Sequence, residues 1–323
     1  MEERSPTRHV VMAESFLLVR FSAIGDCVMS AYIATAIRVA LPGARIVWAA
    51  ESRCSPVIDR NRLITDLVEF PRDRWRKKRW SPATWREQLS LFSKLRRAKC
   101  SVGLDLQGHS KTAICLRIAN PNRRLSVFAT DALARRLNPM LQGDPDGKHR
   151  VERMMDGLRT FGDFELPEHP IMPNPFPSAD LGFSPTARLV TISTGAGAIN
   201  KQYSAEQWRE VATGLVSQGF HVAFLGATVD PMIEVPGTQS FVGRFDLRQT
   251  MSAVAHSTIH LAADTGTGHM AAAFGVPFVS VFGPTDSDLF RPYSSKGVVL
   301  RQSDRPSDVR PQRILAAVEE LIG

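Results

Sequence analysis

Cysteine is scarce in this chain and widely scattered. Only four occur in 323 residues, at Cys27, Cys54, Cys100 and Cys115, with no close pair and no zinc-ligand spacing. A disulfide scaffold is therefore excluded, and a reduced, cytosolic environment is the expectation. Long apolar runs are missing too. The longest are far too short to span a bilayer, so any meeting with a membrane is through the surface. The opening stretch MEERSPTRHVVMAESF carries acids early and has no sustained apolar core, which argues against a secretory signal. Residues 1–14 read as a flexible leader. A Walker-type G-x-x-x-x-G-K-[ST] loop is also absent. Acids are in deficit: 32 against 40 lysines and arginines, a net charge of +8 and a pI near 9.7. That balance favours an anionic partner: nucleic acid, a phosphorylated glycan or an anionic membrane face.

What is present is alternation. Phe16 to Phe21 (FLLVRF) has a buried-strand pattern and ends in the turn Ser22-Ala23-Ile24-Gly25-Asp26, which opens a helix over Cys27 to Ala40. Leu41-Pro42-Gly43 stops it, and Ala44 to Ala49 is the next strand. The unit repeats with a strand at 67–70, a helix at 85–98 and a strand at 101–106. Proline-rich residues 166–187 break the rhythm as a linker. Alternation resumes with strands at 189–192, 221–225, 258–262 and 277–282, and helices at 205–218, 247–256, from Gly268, and at 311–321. Strands alternating with helices imply parallel sheets. The expected fold class is α/β, with two doubly wound domains facing a central cleft. The first covers 1–165 and the second 188–323, and the final helix is a candidate to pack back on the first domain. Ligands of such sheets lie beyond the carboxyl ends of the strands.

The segment Ala262-Ala263-Asp264-Thr265-Gly266-Thr267-Gly268-His269 to Ala273 carries the most information. An apolar strand ends in an acid and small residues that open an alanine-rich helix, presenting backbone N–H groups to a phosphate. Gly266, Gly268 and Ala271 also match G-x-G-x-x-A. However, Asp286 follows a Gly-Pro rather than a strand, and too little chain remains for a dinucleotide domain. Asp26 is either an acid complementing a helix dipole or a general base. The loop from Thr194 to Lys201 suits a diphosphate, with a solvated lysine as the alternative. Asp230, after the strand 221–225, is a turn aspartate or an acceptor for ribose hydroxyls. The D-x-D pairs Asp144/Asp146 and Asp286/Asp288 sit beside prolines and read as turn acids, so neither metal nor cofactor is expected. Arg72 to Trp80 (RDRWRKKRW) is basic with interleaved aromatics, either a solvated loop or an anion-binding one. Gln107 and Lys111 lie in the polar loop after the strand 101–106.

The ordered set resembles the family 9 glycosyltransferases, the ADP-heptose:lipopolysaccharide heptosyltransferases. The resemblance runs from about Phe16 to Tyr293 and rests on RFSAIGD, DLQGHSKT, HRVER (149–153), the loop ending in Lys201, GATVD (226–230) and ADTGTGHMAAAFGVPFVSVFGPTD. It implies a GT-B fold, two Rossmann-like domains with the donor held mainly by the second, and metal-independent transfer with inversion. By the same resemblance, Asp26 is the general base. Thr194, Lys201, Asp230, Asp264, Thr265, Gly266, Thr267, Gly268 and His269 bind the donor, an ADP-sugar by preference. Gly25, Gln107 and Lys111 bind the acceptor. Asp230 departs from the glutamate usual at its position, and the helix after Asp26 lacks the usual Leu-Pro. The implied acceptor is an anionic glycolipid of the lipopolysaccharide inner core, met by a cytoplasmic enzyme peripheral to the anionic inner membrane. Another sugar-nucleotide enzyme of the same fold, an epimerase included, stays open. A non-catalytic anion-binding protein is a third reading; nucleic acid is not expected, because no nucleic-acid module is recognisable.

Overall fold

The computed structural model describes residues 15–184 and 188–322, so the leader 1–14 and part of the linker lie outside the described residues. In chain order the first half runs β1 (Ser15–Val19), α1 (Ile24–Ala40), β2 (Arg45–Glu51), β3 (Asp66–Phe70), α2 (Arg72–Lys77), α3 (Pro82–Arg97), β4 (Val102–Asp105), α4 (Ser110–Ala119), β5 (Arg123–Ser126), α5 (Ala132–Leu137) and α6 (Arg150–Arg159). The second runs β6 (Leu189–Ser193), α7 (Ala205–Ser217), β7 (His221–Leu225), β8 (Thr238–Ser240), α8 (Leu247–Ala255), β9 (Ile259–Ala263), α9 (Gly266–Ala273), β10 (Phe278–Phe282), α10 (Ser287–Phe290), β11 (Gly297–Arg301) and α11 (Pro311–Ile322).

Two parallel sheets result. Their strand orders are β3-β2-β1-β4-β5 and β11-β10-β9-β6-β7-β8, each reversing direction from its first strand as a doubly wound sheet does. The apolar runs explain why these segments are strands. Both faces of each sheet are covered by helices, so inner strands are apolar throughout. In β1, Phe16 and Leu18 join the core beneath α1 and α6. Leu17 and Val19 point the other way, into the core beneath α3 and α4 with Leu95 and Leu116. This is the period-two alternation of a strand.

Two segments differ from the sequence reading. The stretch after β3 is helical over Arg72–Lys77 rather than a loop, although most of its charged side chains stay solvated. Trp75 buries its ring edge-on against Phe70, with centroids 5.8 Å apart, and its indole N–H donates to Glu87 on α3 at 2.7 Å. One buried aromatic thus draws a highly charged segment into register. The final helix also does not return to the first domain. Ile314, Ala317 and Val318 of α11 enter the core of the second domain beside Leu215 of α7, and Leu315 lies over Gly214. That face is apolar at helical spacing, and it packs on α7, β10 and β11 of its own domain.

Candidate active site

The carboxyl ends of β1 and β9 face each other. The chain leaving β1 turns sharply into α1, and Gln107 holds that turn. Its buried side-chain oxygen accepts from the amides of Phe21 at 2.9 Å and Ser22 at 3.3 Å. Asp26 is the third residue of α1. Its carboxylate accepts the Ala23 amide at 2.9 Å and pairs with Arg20, whose side chain is only 11% exposed against 25% for Asp26. A second Arg20 N–H donates to the Leu106 carbonyl. Burial works against the charge of Asp26. The Arg20 guanidinium and the Ala23 amide outweigh it and hold the carboxyl below its ordinary value.

Asp26 opens onto a cavity of about 510 Å³ that it lines with Arg20, Gln107, His109, Phe128 and Arg150, closed on one side by Phe290 of the second domain. A second cavity, of about 480 Å³, lies across the domain contact. Ser193, Gly195, Asp230, Phe245, Thr265 and Thr267 line it from the second domain, and Ile24 and Arg53 from the first.

Between the cavities the N-termini of α1 and α9 abut. A Cβ added to Gly25 would lie 2.5 Å from the His269 ring, and one added to Gly266 would lie 3.2 Å from the Gly25 nitrogen. Only glycines allow two helix starts this close. Each helix start carries the positive end of its dipole, and the two ends meet here. The hydroxyls of Thr265 and Thr267 are 2.8 Å apart, and Thr267 donates on to Ser193 at 2.7 Å. Lys201 pairs with Asp264 at 2.7 Å. His269 is buried, and burial lowers its pKa against the pull of Asp264 and Asp26; its Nδ1 has no hydrogen-bond partner among the described residues. Asp230 accepts the Ala227 amide at 2.7 Å, as a turn aspartate does. It also lies over Gly195, where a Cβ would come within 2.1 Å of its carboxyl group.

Several expected contacts fall elsewhere. Thr194 is buried and its amide donates to the Leu225 carbonyl at 3.0 Å, so Ser193 faces the cavity in its place. Gly268 packs α9 on β10, and a Cβ added there would lie 3.1 Å from Ser280 Oγ. Gly25, expected on the acceptor side, meets the start of α9. Lys111 does not enter the Asp26 cavity. It pairs with the buried Glu51 at 3.4 Å and lines a neighbouring basic groove with Arg72, Arg76 and Arg79. The D-x-D acids cap turns: Asp144 accepts the Asp146 amide and Asp286 that of Asp288. Sequence reasoning misses Arg20, although an arginine inside the apolar run FLLVRF is a visible signal. Phe290 gives no signal, because only tertiary structure carries it to the other domain's cavity.

The family model described as glycosyltransferase family 9 (heptosyltransferase) matches residues 88–315. The chain belongs to glycosyltransferase family 9. This family 9 chain is 25% identical over 304 residues to lipopolysaccharide heptosyltransferase 1 of Pseudomonas aeruginosa, covering 88% of this chain and 82% of that protein. It is 22% identical over 303 residues to lipopolysaccharide heptosyltransferase 1 of Escherichia coli, with coverages of 88% and 92%. The solved structure of the E. coli heptosyltransferase WaaC with ADP superposes with a TM-score of 0.79 at 19% identity, covering 95% of this chain and 99% of that one. The two facing parallel sheets are thus a GT-B arrangement, and the protein is a glycosyltransferase.

Proposed function

We propose that this glycosyltransferase moves a heptose from ADP-heptose to an anionic acceptor of the lipopolysaccharide inner core, a Kdo or core heptose residue, with inversion at the anomeric carbon. One observation carries the reading: Asp26 opens on one cavity while its neighbour Gly25 touches the helix start that borders the other. A hydroxyl held beside Asp26 then approaches the anomeric carbon from the face opposite the leaving diphosphate, which is the geometry of inversion. Asp26 accepts the hydroxyl proton as the new C–O bond forms. The departing diphosphate meets the amides at the start of α9, with Lys201 released from Asp264 to join them. These groups supply the positive charge the leaving group needs, so the proposed transfer is metal-independent. Phe245 and Asp230 suit an adenine face and ribose hydroxyls. The names of the relatives support the heptose. Closure over both cavities keeps water from the sugar nucleotide.

A thermal-shift panel of ADP-, UDP-, GDP- and CMP-sugars tests the donor. ADP-heptose is expected to raise Tm selectively, because a ligand stabilises the folded state by its differential binding. Conversion of a free sugar nucleotide with no acceptor present would point to an epimerase instead.

Peripheral attachment to an anionic membrane is part of the proposal. Residues 72–99 hold eleven lysines and arginines against two acids, a local +9 in a chain of +8. Trp80, Trp85 and Leu89 are exposed among them. Interfacial aromatics amid cations suit an anionic headgroup layer. Among the described residues, no helix is long and apolar enough to cross a membrane. Co-sedimentation with phosphatidylglycerol vesicles, lost in high salt, is the expected result; equal binding to neutral vesicles would sink it.

A further inference from the structure

Arg150 opens α6 at the rim of the Asp26 cavity. Its guanidinium carbon lies 4.7 Å from the ring centroid of Phe128 and 4.7 Å from that of Phe290. Phe128 follows β5 in the first domain, and Phe290 ends α10 in the second. The sandwich is therefore built from both halves of the cleft. A guanidinium is weakly hydrated and stacks on aromatic faces, which leaves its N–H edge free in the plane between them. The Arg150 side chain is only 19% exposed, whereas its carboxylate partner Asp146 is 63% exposed and 2.9 Å away. Another N–H of the group donates to the Pro145 carbonyl at 3.0 Å. An ion pair with so exposed an acid contributes little and exchanges readily.

The other basic groups on this cavity are placed differently. Arg20 is committed to Asp26 and the Leu106 carbonyl. Burial lowers the pKa of His109, and its Nδ1 lies 2.7 Å from the Thr130 hydroxyl. Arg135 is exposed on the rim. Arg150 alone among these combines partial burial, a fixed plane and a displaceable acid.

We propose that Arg150 recognises a carboxylate on the acceptor sugar through two parallel N–H···O bonds, with that carboxylate taking the place of Asp146. The inference rests on the proposed function, which supplies an acid-sugar acceptor. It adds that the recognising group is held by an aromatic residue from the donor domain. Acceptor affinity and domain closure are thus linked through Phe290.

The test is steady-state transfer from ADP-heptose to a Kdo-bearing acceptor and to the same acceptor with its carboxylate converted to a carboxamide. Arg150→Gln is expected to raise acceptor KM about 10-fold or more, as loss of a charged hydrogen bond does, while donor KM stays within about twofold. The preference of the unaltered enzyme for carboxylate over carboxamide should vanish in this variant. Arg150→Lys keeps the charge but loses the planar fork, and should recover only part of that preference. Phe290→Leu leaves every charge in place and should raise acceptor KM in the same direction by less. If Arg150→Gln weakens both acceptors equally, or raises donor KM alongside, Arg150 is a structural bridge and the assignment is overturned. If the unaltered enzyme transfers heptose to neither acceptor, the proposed function falls first and this inference with it.

Discussion

Asp26→Asn lowers kcat/KM for sugar transfer by about 10²–10⁴-fold while ADP binding is retained, as expected for loss of a positioned general base. Asparagine has the shape of aspartate and can still accept the Ala23 amide, so the first turn of α1 keeps its cap. What is lost is the charge that faces Arg20 and that, in the proposed reaction, receives the acceptor proton. The pH dependence follows from the same contacts. Burial raises and Arg20 lowers the pKa of Asp26, with a net depression. The carboxylate is therefore ionised throughout neutral pH, and the acid limb of kcat/KM assigned to it lies below the ordinary Asp value of about 3.9. So weak a base takes its proton late, once the attacking oxygen has become acidic. The stability effect has a defined sign. A carboxyl whose pKa is depressed in the fold stabilises above its unfolded value, and that contribution disappears as pH falls through the folded value. The Asn variant should accordingly melt lower than the parent at pH 7, with the gap closing in acid. Thermal melts with and without ADP, beside transfer assays, check both parts. Near-normal transfer by the variant would remove Asp26 from the role of base.

Gly25→Ala is expected to cost on the order of 10²-fold in kcat through one methyl group. That Cβ would lie 2.5 Å from His269 Cδ2 and 3.3 Å from the Gly266 Cα. One of these neighbours is backbone and the other a ring buried in α9, so the two helix starts must part. Alanine is the better helix former by about 1 kcal/mol, and α1 itself gains. The variant should thus keep its helix content and most of its Tm while losing turnover, because a displacement near 1 Å between base and donor costs about that much rate. Gly43→Ala is the control, since nothing lies within 4 Å of a Cβ there. Equal, small effects at both glycines would show that the close approach of α1 and α9 has no part in transfer.

The legible parts of the fold share one physical basis. β1, β2, β4, β6, β7, β9 and β10 are inner strands covered on both faces, so each is a dense apolar run. Two of the edge strands, β5 and β8, carry no such mark. β5 reads RRLS and β8 reads TQS, and only their neighbours make them strands. α2 is hidden by its charge, because Trp75 buries itself only once α3 is in place. The candidate site divides in the same way. Asp264 to His269 follow the end of β9 directly and Asp26 opens the helix after β1, so position in the alternation marks them. Gln107 both lines the Asp26 cavity and clamps the turn after β1, whereas Lys111 lines a different groove, since direction of a side chain is not written in loop composition.

Taken by itself, the sequence determined the alternation of the inner strands with helices, the parallel sheets they must form and the places where loops meet strand ends. Local periodicity and chain connectivity decide those features, and both are linear properties. Which loops confront each other was decided only in three dimensions. The glycine contact between α1 and α9, the Arg20–Asp26 pair and the Phe128–Arg150–Phe290 sandwich join residues from separate turns, elements or domains. Their energies depend on distance and burial, and these exist only after the two domains have packed.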